Sequence, residues 1–217
     1  MEKHKFLYLL IFTLLTGCAC TNSTQSLMNL SVAKKAVQEY YESGQFETDC
    51  SKIISEAIHE IDKMKLDDKA AVVFDVDETA LSNYSVTKGI GFGYIPKYSD
   101  EVQMNGNEEA IPPTKRFYDY LISKNIHVIF LTGRISELAE STKRNLVEKC
   151  FEKFDTLIVR AKNDKNHSAA IFKSSERKKL IQNGYKIIAC IGDQESDFTG
   201  GNTGYKIKLP NYLYLLD

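Results

Sequence analysis

Ala70-Ala-Val-Val-Phe74 runs without a break into Asp75-Val76-Asp77-Glu78-Thr79. Five apolar residues in a row predict a short strand buried on both faces, as strands of parallel sheets are. The polar burst that follows lies past the strand's carboxyl end, where open α/β sheets hold their ligands. Two carboxylates one residue apart there are unfavourable together unless a cation or protons offset their charge. This one stretch predicts both a fold class and a site.

Further along, short apolar runs recur at His127–Leu131, Thr156–Val159, Ala169–Phe172, Lys186–Ile191 and Tyr205–Leu209. Helical patterns separate several of them, at Thr114–Ser123, Ser136–Lys149 and Ser174–Asn183. Alternating strands and helices predict an α/β fold, a parallel sheet flanked by helices and joined by right-handed crossovers. Upstream, Cys50, Ile53, Ile54, Ala57, Ile58, Ile61 and Met64 form a helical stripe, and a shorter helix precedes it over Val32–Tyr41. Ser43-Gly44-Gln45 breaks the two. They predict an N-terminal helical extension whose apolar face docks elsewhere. Residues 84–113 hold Gly89, Gly91, Gly93, Pro96, Pro112 and Pro113 and fit neither period. They read as a long functional loop after the first strand.

Polar residues also gather at the other strand ends. Thr132-Gly133-Arg134 follows the second strand, Lys173 follows Ala169–Phe172 at the opening of a helix, and Gly192-Asp193-Gln194-Glu195-Ser196-Asp197 follows a later strand. A hard divalent cation, Mg²⁺, would offset Asp75 and Asp77, with Asp193 as a further oxygen ligand. Thr132 offers a hydroxyl, Gly133 lets backbone approach an anion, and Lys173 adds positive charge. A metal, a nucleophilic carboxylate, an anion-binding Thr and a Lys are the parts of phosphoryl transfer. Each alone has an ordinary structural explanation; four in order at strand ends point to a site. Asn83 and Arg134 read as entrance residues without assigned chemistry.

These residues resemble the haloacid dehalogenase (HAD) superfamily, and within it the secreted acid phosphatases that include bacterial lipoprotein acid phosphatases and plant vegetative storage proteins. The resemblance is carried by Phe74-Asp-Val-Asp-Glu-Thr79 with Leu81-Ser-Asn83, Phe130-Leu-Thr-Gly-Arg134, Phe172-Lys-Ser-Ser-Glu-Arg177 and Gly192-Asp-Gln-Glu-Ser-Asp197. Softer similarity reaches Glu39–Phe46 and Lys208-Leu-Pro-Asn211, so it extends from about Val32 onward. It implies a HAD-like Rossmannoid sheet and a phosphomonoesterase acting on small phosphate monoesters. It implies Asp75 as the nucleophile that forms an aspartyl-phosphate. Asp77 becomes the acid that protonates the leaving oxygen and then the base that activates water. Mg²⁺ would be held by Asp75, the backbone carbonyl of Asp77 and Asp193, with Asp197 acting through water. Thr132 and Lys173 would hold the phosphoryl oxygens.

Protonating a leaving group requires Asp77 to start neutral, which favours low pH unless its pKa is raised. One departure is Glu195, where the plant-type pattern commonly has an aromatic residue. With no Trp in the chain, any stacking on a substrate ring falls to Phe92, Tyr94 and Tyr98, which equally suit packing under the loop. Two other functions fit parts of the pattern. A non-catalytic storage or binding member of the family would not need Asp75, Asp77, Thr132, Lys173 and Asp193 together. A phospho-accepting receiver-like domain would place its acceptor at the end of the third strand, and Thr156–Arg160 ends without a carboxylate.

The N-terminus gives an address. Met1-Glu-Lys-His-Lys5 is basic, Phe6–Leu15 is apolar, and Thr16-Gly17-Cys18 follows. That is the layout of a secretory signal, and the apolar run falls short of the about 20 residues that cross a bilayer. Leu15-Thr16-Gly17-Cys18 resembles a lipobox, which predicts a signal peptide over 1–17, lipid on Cys18 and a flexible tether over 18–30. The phosphatase domain is predicted over 31–217, exported to the bacterial cell envelope and anchored at the outer membrane or periplasm. Cys20, Cys50, Cys150 and Cys190 allow three disulfide pairings, though Cys190 sits in an apolar run as a core residue would. The chain has 217 residues, 28 Lys+Arg against 29 Asp+Glu, a net charge of −1 and 43% hydrophobic residues. This balance argues against a nucleic-acid polymer as partner and excludes a disordered chain.

Overall fold

The computed structural model describes residues 27–164 and 168–216. The predicted signal peptide, Cys18, Cys20 and most of the predicted tether lie outside the described residues. The chain opens with α1 (Leu30–Glu42), capped where the Asn29 side chain accepts from Ser31 N at 2.9 Å. Gly44, at φ 84°, turns the chain into α2 (Gln45–Asp62). Next come β1 (Ala70–Phe74), β2 (Leu81–Ser82), α3 (Tyr84–Gly89), α4 (Pro96–Asn105) and β3 (Glu109–Ala110). The remainder alternates: α5 (Pro112–Ser123), β4 (His127–Ile135), α6 (Ala139–Glu148), β5 (Thr156–Arg160), α7 (Ala169–Gln182), β6 (Lys186–Gly192) and β7 (Tyr205–Lys208).

Five strands form one parallel sheet in the order β5-β4-β1-β6-β7. The chain builds outward from β1 on one side, then crosses back through α7 to build on the other. That reversal leaves a crevice at the carboxyl end of β1, where ligands bind in open sheets.

All five residues of β1 are buried. Successive side chains point to opposite faces, so Ala70, Val72 and Phe74 join one core and Ala71 and Val73 the other. The first core is closed by Cys50, Ile54, Ala57 and Ile61 of α2 and by Phe117 and Leu121 of α5. The predicted helical extension is thus half of a helical layer, with α2 packed on α5 and β7. The second core is closed by Phe172 and Leu180 of α7 and by Phe198.

Two expectations are corrected. Ala169–Phe172 is not a strand but the first turn of α7, whose cap is Ser168, its side chain accepting from Ile171 N at 3.3 Å. Residues 84–113 are not a structureless loop. They fold as α3 and α4 between the strands of a small antiparallel pair, β2 and β3. Pro96 opens α4 and Gly106, at φ 65°, closes it. Cys50 and Cys190 are buried free thiols and Cys150 an exposed one. Among the described residues, no helix is long and apolar enough to cross a membrane.

Candidate active site

The crevice opens into a cavity of about 580 Å³ lined by Asp75, Asp77, Gly133, Arg134, Lys173 and Asp193, with Thr87 from α3, Tyr98 from α4 and Tyr94 from the link between them. Strand and helix ends deliver each group. Asp75 follows β1, and its N–H donates to the Ile191 carbonyl of β6 at 2.9 Å. Lys173 comes from α7, one turn inside the helix. Its Nζ donates to Asp75 Oδ1 at 2.6 Å and to Asp197 Oδ1 at 2.5 Å.

Oxygens of Asp75, Asp193 and Asp197 lie within 4.8 Å of one another, all three residues buried. Burial pushes the Asp75 carboxyl well above the usual range; Lys173 opposes this, but Asp197, Asp193 and Asp77 push it further up. Asp193 is raised for the same reason, by burial and by Asp197, against donors on Asn211 and Gln194. Burial alone would lower the Lys173 ammonium, yet its two carboxylates leave it raised. The cluster holds more negative charge than one lysine balances. Three converging carboxylate oxygens short of positive charge are the donor set of a hard divalent cation.

Surrounding donors fix the carboxylates. Asp193 accepts from Thr79 Oγ1 at 3.3 Å, Gln194 Nε2 at 2.5 Å and Asn211 Nδ2 at 2.6 Å. Asp197 Oδ2 accepts from Gln194 N at 2.9 Å. It lies so close to Gly192 that a Cβ there would sit 2.1 Å from it. Arg177, fully buried, donates to the carbonyls of Asp197, Thr199 and Gly201 and holds that turn in place.

Asp77 takes no part in the three-carboxylate cluster. Its side chain, a fifth exposed, faces Arg134, which donates through Nη2 at 2.8 Å and Nε at 3.1 Å. Asn83 Nδ2 at 2.9 Å and Gln103 Nε2 at 3.2 Å add to it. Burial would raise this carboxyl, but the charge and hydrogen bonds of Arg134, with Asn83, hold it below the ordinary value. Arg134 is therefore no bystander at the entrance. It is a buried cation that also donates to Glu108 Oε1 at 2.9 Å and to Thr142 Oγ1 at 3.1 Å.

Of the predicted phosphate binders, Gly133 and Lys173 line the cavity. Thr132 lies behind them, wholly buried, its hydroxyl accepting from Arg134 N at 3.2 Å. Tyr94 and Tyr98 stand exposed at the cavity wall, while the Phe92 ring packs toward Tyr84 instead. Glu195 is exposed and outside the lining. Four participants escaped the sequence reading. Glu78 is buried with its carboxyl pushed up to about 8 by burial and by Asp77. Tyr214 donates to Glu78, Asn211 holds Asp193, and Glu108 pairs with Arg134. Glu78 and Asn211 lay in stretches the resemblance touched, without an assigned role.

A parallel sheet with its switch point beside paired carboxylates, a lysine and a metal-type donor set defines the phosphoryl-transfer class of α/β enzymes. The sequence profile of the HAD superfamily, subfamily IIIB (acid phosphatase), matches residues 14–216, and the chain belongs to that family. It is 33% identical to the stem 28 kDa glycoprotein of Glycine max over 84% of this chain and 74% of that one. It is 29% identical to acid phosphatase 1 of Solanum lycopersicum, covering 83% of this chain and 73% of that one. The class C acid phosphatase from Bacillus anthracis shares the fold, with a TM-score of 0.70, 21% identity and 86% of each chain covered.

Proposed function

We propose that this acid-phosphatase family member is a Mg²⁺-dependent phosphomonoesterase that works through an aspartyl-phosphate on Asp75. The observation that carries this reading is the convergence of Asp75, Asp193 and Asp197 beside Lys173, with Asp75, Asp193 and Lys173 lining the cavity. Asp75, Asp193 and the main chain at Asp77 would hold the ion, with Asp197 behind them. Bound there, it would supply charge neutralisation for the phosphoryl oxygens.

The chain's own groups do the rest. A carboxylate oxygen of Asp75 attacks phosphorus while the bond to the leaving oxygen breaks. Asp77, when protonated, gives that oxygen its proton. As a carboxylate, Asp77 then takes a proton from water, whose oxygen attacks the aspartyl-phosphate to release phosphate and restore Asp75. Lys173 and the Gly133 backbone face the transferred group, and Thr132 braces the Gly133–Arg134 turn. Arg134 holds Asp77 in its ionised form, which readies it as the base. It also makes the acid form scarce except at low pH, which gives the family's acid preference a local cause. Tyr94 and Tyr98 offer flat apolar faces to an aromatic leaving group, nucleotides included.

Asp75→Asn removes the nucleophile and leaves its volume. Mg²⁺-dependent hydrolysis of an aryl phosphate should fall by at least 10³-fold, with melting close to that of the parent. Turnover that persists in this variant refutes the nucleophile. We also propose that residues 1–17 direct export and that Cys18 carries lipid, holding the enzyme at the bacterial envelope. Cys18→Ser should move the protein from the membrane to the soluble fraction, and unchanged partition refutes the anchor.

A further inference from the structure

Three cations line the cavity, and two are spent. Arg134 donates to Asp77 and Glu108, and Lys173 to Asp75 and Asp197. The third, Arg160, pairs with no carboxylate among the described residues. Its Nε and Nη2 are shut off from solvent and have no hydrogen-bond acceptor. A half-buried guanidinium without a counter-ion is costly, so a protein keeps one where something completes it.

Position and posture favour a ligand over a lost structural bond. Arg160 ends β5, two strands from β1. At the usual strand spacing, that places it roughly 10 Å across the sheet from the strand end bearing Asp75. Its guanidinium carbon lies 5.4 Å from the centroid of the Phe172 ring, in the helix turn that leads directly to Lys173. The flat cation is thus held by stacking and not by an ion pair, and its charge is left without a counter-ion.

We propose that Arg160 anchors a second anionic group on the substrate, a carboxylate or further phosphate carried by the leaving group. This rests on the phosphatase reading above. The substrate class is then a phosphate monoester acidic at both ends. Its phosphoryl group sits at Asp75 and Lys173, and its distal anion meets the uncompensated charge of Arg160 from the cavity. Such a group would supply the counter-ion that Arg160 lacks.

The test uses two pairs of small molecules. Binding of 4-carboxybenzylphosphonate and of benzylphosphonate is measured by calorimetry on the parent and on Arg160→Met, which keeps an apolar stem over Phe172. Hydrolysis of 4-carboxyphenyl phosphate and its neutral methyl ester is followed in parallel. The parent should prefer the carboxylated member of each pair by at least tenfold, in Kd and, for the esters, in KM more than kcat. Arg160→Met should erase that preference and leave the neutral member within twofold, which also shows that the variant folds. Equal losses on both members, or a preference that survives the substitution, overturn the anchor. If Arg160 governs phosphonate binding while neither ester is hydrolysed, the anchor stands and the phosphatase reading falls.

Discussion

Replacing Arg134 by Met tests the polar core beneath the site. The Arg134 side chain is 1% exposed and feeds three acceptors: Asp77, Glu108 and Thr142. Met fills most of its volume and satisfies none of them. Asp77 retains Asn83 and Gln103 and some contact with water. Glu108 is worse placed: its side chain is also 1% exposed, Arg134 is its one donor among the described residues, and its Oε2 already lacks a partner. Breaking a buried pair so that one charge stays behind costs about 3–5 kcal/mol. With an m-value of about 2–3 kcal/mol/M in urea, the midpoint should fall by about 1–2.5 M. Metal-free protein at pH 7 followed by far-UV circular dichroism and Tyr fluorescence would read this, since no Trp is available. Adding Glu108→Gln to Arg134→Met removes the stranded charge and should recover about 1–3 kcal/mol. An Arg134→Met midpoint within about 0.3 M of the parent, or a double variant no more stable than the single one, would refute the argument.

Two further outcomes follow from the same geometry. Because Arg134 holds Asp77 below the ordinary carboxyl range, its proton-donating form is lost as pH rises through that lowered pKa. The kcat for an ester with a poor leaving group should therefore fall between acidic and neutral pH, by up to about tenfold per pH unit, and a flat profile would contradict Asp77 as the acid. Gly192→Ala would place a methyl group 2.1 Å from Asp197 Oδ2. Asp197 must swing away from Lys173 and Gln194, so activity should drop by roughly 10²-fold, as expected for small misplacements near a reacting centre. Parent-like turnover would mean that the turn yields without disturbing the site.

How much of this was legible depended on whether the buried face of each element was apolar. In β1, β4 and β6 it was, and their positions and the acidic groups beyond them could be read directly. In α7 it was not: the inward face is Phe172, Lys173, Arg177 and Leu180, so two cations erase the helical period and leave Ala169–Phe172 looking like a strand. Residues 84–113 misled for another reason. Pro96 and Pro112 are helix starts and Gly106 a helix stop, so residues read as marking a loop instead mark the limits of helices. Within the site, Asp75, Asp77 and Asp193 were visible because unpaired acids at strand ends demand an explanation. Arg134, Glu108 and Tyr214 were not, since their roles depend on partners 26 to 136 residues away.

The inward cations of α7 also restrict how the helix can join the sheet. A purely apolar face can slide along β1 and β4 with little penalty, whereas this one has a single acceptable seat. Lys173 needs Asp75 and Asp197 opposite it, and Arg177 needs the three carbonyls of the 197–201 turn. A shift of one turn would take the ammonium away from both carboxylates and the guanidinium away from its three carbonyls. The lysine proposed to face the phosphoryl group thus acts during assembly as a register key. Misdocked forms are rejected by electrostatics before any ligand arrives.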